Sequence, residues 1–320
     1  MSKISFKHIT YIYTNKCNAE CSHCILSCGP TKTNKLSPEI VKKTLKDLFD
    51  YKIQKFSISG GEPFLFFREI ESILSFSNSM NLKSQLGTNG YWGISYNKSF
   101  EILKKLHSHG LTKLLLSADK YHQKYVKIKN IFNILMAAKD VGVKVKISTD
   151  MTRKDQESFS IIKKLEDFDC LISLKQPKLI GRATKNVNRS ELCNFIPEDK
   201  KINSSCDQID SPTITPDGRV WICCGNPPGK YYYTKLNSKP FVLGNIYKNS
   251  LKEILERNEN YTILKILKNY GPIKFVEIIE NATGEKYKFR KKYHDICDLC
   301  IDILGNKKFK DILKEELINY

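Results

Sequence analysis

The stretch Cys17-Asn18-Ala19-Glu20-Cys21-Ser22-His23-Cys24 places three cysteines in a C-x3-C-x2-C pattern directly after an apolar segment. Three thiolates this close in sequence can bind three irons of a cubane [4Fe–4S] cluster, which leaves the fourth iron without a protein ligand. Zinc is the alternative, because it also binds thiolates, with His23 or Cys28 as a fourth ligand.

The composition indicates a folded protein whose cysteines bind metal rather than one another. The 320 residues are 41% hydrophobic and 27% charged, which is ordinary for a globular chain. No apolar run approaches the roughly 20 residues of a membrane span, and the N-terminus has no signal-peptide pattern, so we expect a cytoplasmic protein. Disulfides are rare in that compartment, so the 11 cysteines indicate metal or redox chemistry.

The chain is strongly basic, with a formal net charge of +19. This charge favours an acidic partner, or it reflects a lysine-rich solvated surface. The lysines are spread along the whole chain, and no RNA-binding module is recognisable. We therefore expect neither a membrane nor a nucleic acid as the partner.

Strand-like and helix-like segments alternate six times in the first half of the chain. One helix is predicted to begin after Ser37 at Pro38, and another spans residues 125–138 before Gly142. The predicted strands span residues 4–13, 55–59, 84–87, 113–117, 143–149 and 170–175. Six such units predict an α/β fold, a partial (β/α)6 barrel with its active site at the C-terminal strand ends, because a complete barrel needs about 250 residues.

The alternation ends after Pro177. Residues 213–222 form a predicted β-hairpin around the turn Pro216-Asp217-Gly218, and a short helix is predicted over residues 250–257. We therefore divide the chain into a barrel domain, residues 1–189, and a small C-terminal domain with a hairpin and helices, residues 190–320.

Four further motifs occur at the predicted strand ends and at the end of the barrel. They are Gly60-Gly61-Glu62-Pro63, Gly87-Thr88-Asn89-Gly90, Ser117-Ala118-Asp119-Lys120-Tyr121-His122 and Ile180-Gly181-Arg182-Ala183. With the cysteine stretch, they resemble the radical S-adenosylmethionine (SAM) superfamily over residues 10–185. The resemblance implies that Cys17, Cys21 and Cys24 bind a [4Fe–4S] cluster and that SAM chelates its fourth iron.

The resemblance also implies a set of SAM-binding residues. Gly60 and Gly61 would let the backbone approach SAM, and Glu62 would pair with its ammonium group. Asn89 and Ser117 are candidates for its carboxylate or ribose. Asp119 is a weaker candidate, because an Asp at a strand end is more often a helix cap.

Five more cysteines lie in the last 115 residues: Cys206, Cys223, Cys224, Cys297 and Cys300. Their spacing around Gly218, together with Gly244-Asn245-Ile246, resembles the SPASM domain, shortened to a twitch domain with one auxiliary [4Fe–4S] cluster. Zinc is again the alternative. The other three cysteines, Cys28, Cys170 and Cys193, are interpreted as buried small residues.

A closed cluster needs four ligands, so the Cys223-Cys224 doublet supplies one thiol too many. Adjacent strand residues face opposite sides, so only one of the two can reach the cluster. SPASM spacing favours Cys223 as the ligand and twitch spacing favours Cys224. We predict that Cys206, Cys224, Cys297 and Cys300 bind the cluster and that Cys223 donates a hydrogen atom at the barrel mouth. Asp210 or Ser211 should lie opposite Cys223, where Asp210 would orient the donor or the peptide.

The whole arrangement resembles the radical SAM peptide epimerases of the epipeptide type. This implies conversion of L-residues to D-residues in a ribosomally synthesised precursor peptide, with a flavodoxin- or ferredoxin-type reductant. Because the chain begins directly with the barrel strand, leader recognition is expected elsewhere. The alternatives are a twitch-domain dehydrogenase, a thioether-forming peptide maturase, and a non-catalytic zinc protein that binds nucleic acid.

Overall fold

The computed structural model describes residues 2–192, 205–206, 208–223, 241–288, 290 and 293–317. Cys193 and Cys224 lie outside these residues, so the interpretations made for them stay predictions. The domain boundary predicted near residue 190 also stays a prediction.

Six parallel strands in sequential order form the main part of the sheet, which confirms the predicted partial α/β barrel. The strands are β1 (Ile9–Thr14), β2 (Lys55–Gly60), β3 (Lys83–Thr88), β4 (Leu111–Ser117), β5 (Lys144–Asp150) and β6 (Leu171–Lys175). The connecting helices are α1 (Pro38–Asp50), α2 (Phe67–Asn78), α3 (Tyr96–Ser108), α4 (Lys120–Gln123), α5 (Ile128–Val141) and α6 (Gln156–Leu165), and the short α7 (Ala183–Asn186) follows β6.

Local sequence signals fix the ends of these helices. The Ser37 side chain accepts a hydrogen bond from the Ile40 amide and caps α1, as predicted. Helix α5 ends at Gly142, which has a φ of +83° and closes the helix in the left-handed conformation. Along β5, residues 145, 147 and 149 are buried and their neighbours are partly exposed, so one face of the strand packs on helices and the other lines the barrel.

The first strand is shorter than predicted, because it begins at Ile9 rather than at residue 4. The residues before it pair with the C-terminal part of the chain. The amide of Ile4 donates to the carbonyl of Glu259 over 2.9 Å, and the amide of Lys7 donates to the carbonyl of Asp210 over 2.9 Å. Ile4 is also buried, so its apolar pattern reflects packing under this second part and not a longer strand.

The C-terminal part continues the sheet of the barrel. Strand β7 (Thr213–Ile214) pairs with β1 in parallel, and it is joined by the predicted hairpin to β8 (Arg219–Trp221), which pairs with β9 (Val242–Asn245). Helices follow: α8 (Leu251–Asn258), α9 (Thr262–Asn269), α10 (Ile273–Thr283), α11 (Ile296–Gly305) and α12 (Lys307–Glu316). Across the described part of the chain, no helix combines the length and apolar character that spanning a bilayer requires.

Candidate active site

The three N-terminal cysteines meet at one cavity. Cys17, Cys21 and Cys24 all line a cleft of about 380 Å³. The cleft lies at the carboxyl ends of the barrel strands and also includes Gly60, Gly61, Asn89 and Ser117, four of the predicted SAM-binding residues. Its size falls within the range of small-molecule sites. The predicted SAM-binding roles of these residues themselves stay predictions.

The cysteine loop is fixed to the first glycine motif by its backbone. The Gly61 amide donates to the Thr14 carbonyl over 2.6 Å, and the Glu62 amide donates to the Lys16 carbonyl over 2.8 Å. A Cβ atom added to Gly61 would lie 2.0 Å from the Lys16 carbonyl oxygen. Only glycine allows this approach, so Gly61 is required for the loop to close on the cavity.

The thiols of the loop suit a bound metal centre. Burial raises the pKa of Cys17 to about 11 and also raises the pKa of Cys21. Burial disfavours a thiolate unless a cation neutralises it, and metal binding deprotonates such thiols. The three residues therefore fit an iron–sulfur cluster, which they would hold through their sulfurs at the cleft.

Cys28 lies beside the triad. It is buried, as predicted, but it lines the same cavity. Its thiol is hydrogen-bonded to the Cys24 sulfur, and this contact lowers the pKa of Cys24 and raises that of Cys28. The interpretation of Cys170 was wrong in part, because this side chain is only half-buried. Cys170 lies just before β6, at the sheet edge, where no further strand of the described chain covers it.

Arg182 holds the cysteine loop from the other side. Its backbone amide donates to the Cys24 carbonyl over 3.1 Å, and its Nε donates to the Cys21 carbonyl over 3.0 Å. Its terminal guanidinium nitrogen also donates to the Cys28 carbonyl. The sequence indicated only that the segment around Arg182 closes the barrel, because nothing local identifies carbonyl partners more than 150 residues away.

Glu62 lies behind the wall of the cavity. Its fully buried carboxylate accepts hydrogen bonds from the Phe64 amide (3.0 Å), the Thr88 hydroxyl (2.9 Å) and the Asn89 amide (2.8 Å). Burial raises the pKa of Glu62 to about 7, although these hydrogen bonds lower it in part. A ligand ammonium beside it would favour the carboxylate, so the pairing with SAM stays a prediction.

Asn89 connects this carboxylate to the cysteine loop. Its side-chain amide donates to Asn18 Oδ1 over 2.9 Å and lies 3.8 Å from the Cys17 sulfur. The end of β3, Glu62 and the first cysteine of the triad are therefore held together by one chain of hydrogen bonds.

Asp119 is the N-cap residue of helix α4. This capping role is the predicted alternative to SAM binding. Its carboxylate accepts hydrogen bonds from the Tyr121 and His122 amides at the start of α4. Both oxygens also lie 2.9 Å from His122 Nδ1. Burial would raise the pKa of Asp119, but the His122 charge and hydrogen bonds lower it to about 2. Burial would likewise lower the pKa of His122, but Asp119 raises it by more.

We expect Asp119→Asn to destabilise the protein by about 2 kcal/mol near pH 6. This is the free energy that corresponds to the lowering of the Asp119 pKa to about 2 in the folded protein. The pKa of His122 is raised by folding, so the pair's contribution is fully present below the unfolded value of about 6.5 and is lost as the pH rises through the folded value. Urea unfolding at about pH 6 and about pH 9 checks this. Asp167→Asn, at an exposed residue, is the control. A difference in unfolding free energy between wild type and Asp119→Asn that is larger at the higher pH would contradict the assignment.

A second group of cysteines lines a separate, almost wholly apolar cavity. Cys206, Cys223, Cys297 and Cys300 all contribute to it. Burial raises the pKa of Cys297 and of Cys300, so these thiols also suit a bound cation. The residues present fit an auxiliary cluster. Cys223 lies on the same cavity as three predicted ligands, whereas Cys224 lies outside the described residues.

Asp210 lies close to the start of β1. Its carboxylate is 3.3 Å from Lys268 Nζ and 3.9 Å from Lys7 Nζ. Thr213 pairs with Trp221 in the hairpin, so the register continued by two residues sets Ser211 opposite Cys223. The predicted role of Asp210 in orienting the donor or the peptide is not tested by these contacts.

Two protein families match the chain. Residues 11–158 match the radical SAM superfamily, and residues 206–302 match SPASM, an iron–sulfur cluster-binding domain. In fold, the chain is similar to the crystal structure of BtrN in complex with AdoMet and 2-DOIA, with a TM-score of 0.50 and 16% identity over 86% of this chain and 91% of that one.

Two curated proteins of Bacillus subtilis (strain 168) are similar in sequence. YydG, named as a peptide biosynthesis protein, is 26% identical over 301 residues, or 92% of this chain and 91% of that protein. AlbA, named as an antilisterial bacteriocin subtilosin biosynthesis protein, is 24% identical over 277 residues, or 77% of this chain and 59% of that protein. These matches support a radical SAM enzyme with a C-terminal SPASM domain, and the two matched families together imply SAM and [4Fe–4S] clusters as its cofactors.

Proposed function

We propose that this enzyme acts on a ribosomally synthesised precursor peptide and converts L-residues to D-residues. The observation that carries the proposal is the auxiliary cavity. Cys206, Cys223, Cys297 and Cys300 surround it, and Cys224 is the next residue after Cys223. A cubane cluster takes four thiolates, so one thiol of the doublet is left beside the cluster. Similarity to YydG over nearly the whole chain supports a peptide substrate.

The excess thiol gives the reaction its hydrogen donor. When bound, SAM and the reduced cluster supply a 5′-deoxyadenosyl radical that removes the α-hydrogen of a peptide residue. The thiol then transfers its hydrogen atom to the opposite face of the α-carbon, which forms a C–H bond of inverted configuration and leaves a thiyl radical. One electron and one proton, from a flavodoxin- or ferredoxin-type reductant and from solvent, restore the thiol.

The chain's other residues hold this site in place. Gly61 and Arg182 fix the cysteine loop from two sides, and the buried Glu62 joins the ends of β2 and β3. The cleft is also lined by Leu115, Lys146 and Ser148 of strands β4 and β5. A target α-carbon must be held there within reach of the radical and away from water.

Mass spectrometry in heavy water tests the proposal. The anaerobically reconstituted enzyme would be incubated with SAM, a reductant and a candidate precursor peptide. We expect the peptide to gain one deuterium at an α-carbon, and chiral analysis after hydrolysis to identify that residue as D. A product two mass units lighter would instead indicate dehydrogenation or thioether formation. Bound zinc in place of iron, with no SAM cleavage, would indicate the non-catalytic alternative.

A further inference from the structure

Lys178 joins the end of the barrel to the auxiliary cavity. It lies three residues after β6, and its ammonium donates to the Cys297 sulfur over 3.4 Å and to Asp295 Oδ2 over 2.9 Å. Two residues earlier, the Gln176 side-chain amide donates to the His294 carbonyl. The turn that precedes α11 is therefore held by two side chains of one barrel loop.

These contacts act on the helix that carries two of the cavity cysteines. Asp295 caps α11 by accepting a hydrogen bond from the Asp298 amide over 2.8 Å, and Cys297 and Cys300 lie near its start. Lys178 bonds both the cap and the first cysteine, so it fixes the orientation of this turn toward the cavity. Its side chain is about 35% exposed, so the ammonium stays partly solvated while it contacts the sulfur.

We propose that Lys178 is a positioning residue for the auxiliary cluster, which holds Cys297 at the cavity and makes the bound cluster easier to reduce. The proposal rests on the proposed auxiliary cluster. The reduced cluster carries one more negative charge than the oxidised one, so a nearby ammonium stabilises it more. Hydrogen bonds to cluster sulfurs are among the factors that set the reduction potential.

The same loop continues to the other cysteine set. Four residues after Lys178, Arg182 bonds the carbonyls of Cys21 and Cys24. A change at Lys178 must therefore be followed at the auxiliary cluster alone, without interference from the SAM cluster.

The test uses the full-length chain with Cys17, Cys21 and Cys24 replaced by alanine, so that only the auxiliary cluster is bound. Its potential is measured by redox titration followed by electron paramagnetic resonance. We expect Lys178→Met to lower the ratio of reduced to oxidised cluster about tenfold at a fixed potential, because the lost ammonium–sulfur hydrogen bond stabilises the reduced cluster more than the oxidised one. For one electron this corresponds to a shift of about 59 mV to more negative values. Lys178→Arg should retain most of the effect, and the exposed Lys185→Met should leave the potential unchanged.

The outcomes separate the two proposals. Lys178→Met with full iron content and an unchanged potential would overturn the role of Lys178 and leave the proposed function standing. Loss of iron in Lys178→Met alone, with iron kept in Lys178→Arg and Lys185→Met, would support the positioning role. A shifted potential in an enzyme that forms no D-residue would overturn the proposed function alone. An iron-free background variant, with wild-type enzyme that binds one cluster only, would overturn both.

Discussion

Replacing Cys21 with alanine is expected to abolish SAM cleavage and to remove about half of the iron, from roughly eight to roughly four atoms per chain, because one of two [4Fe–4S] clusters is lost. Three cysteine sulfurs hold three of the four irons, so we expect the cluster to be released when one of these ligands is lost. Cys21 is 6% exposed and lines the cleft with the other two cysteines, so solvent has little access to the position of its sulfur. Iron analysis and chromatography of 5′-deoxyadenosine measure the two effects.

Cys28→Ala is the matched control for this prediction. Cys28 lies in the same loop, lines the same cavity and contacts the Cys24 sulfur, but it is not part of the predicted triad. We expect this variant to keep its iron and to cleave SAM. If Cys28→Ala lost metal as completely as Cys21→Ala, four protein sulfurs would close the site, and the zinc alternative would be favoured over an open cluster.

The parts of the site that sequence predicted depend on short-range patterns. The cysteine spacing, the Gly60-Gly61-Glu62-Pro63 motif and the cap at Asp119 each involve residues close together in the chain. The parallel strand order follows from alternating strands and helices, because each crossover places the next strand beside the last. Local residue patterns are therefore sufficient to locate these features.

The features that sequence missed join distant residues. Lys178 meets Cys297 across 119 positions, and Arg182 meets the Cys28 carbonyl across 154. The pairing of β7 with β1 was also missed, because the edge that a hairpin joins depends on how the whole sheet curves. The apolar pattern at Ile4 predicted a strand wrongly, since periodicity does not separate a strand from an extended segment buried under another part of the fold.

We expect Cys223→Ala to cleave SAM and retain about eight irons per chain, but to stop formation of D-residues, because the α-carbon radical loses its hydrogen donor. Cys224→Ala should instead lose the auxiliary cluster and about four irons. Both variants replace a cysteine by alanine at adjacent positions and so remove the same sulfur group. Each is therefore the control for the other. Iron analysis, 5′-deoxyadenosine and chiral analysis of the peptide measure the three effects.

The position of Cys223 at the auxiliary cavity also allows the reverse assignment, in which Cys223 is the cluster ligand and Cys224 is the donor. Cys223 lies with Cys206, Cys297 and Cys300, where a fourth ligand would also lie. If Cys223 is that ligand, Cys223→Ala loses about four irons and Cys224→Ala is the variant that keeps its iron but fails to invert the peptide. Either pattern leaves one thiol of the doublet as the donor. Normal D-residue formation by both variants would remove the doublet from the reaction. The other cysteines of this domain are Cys193 and the remaining predicted cluster ligands.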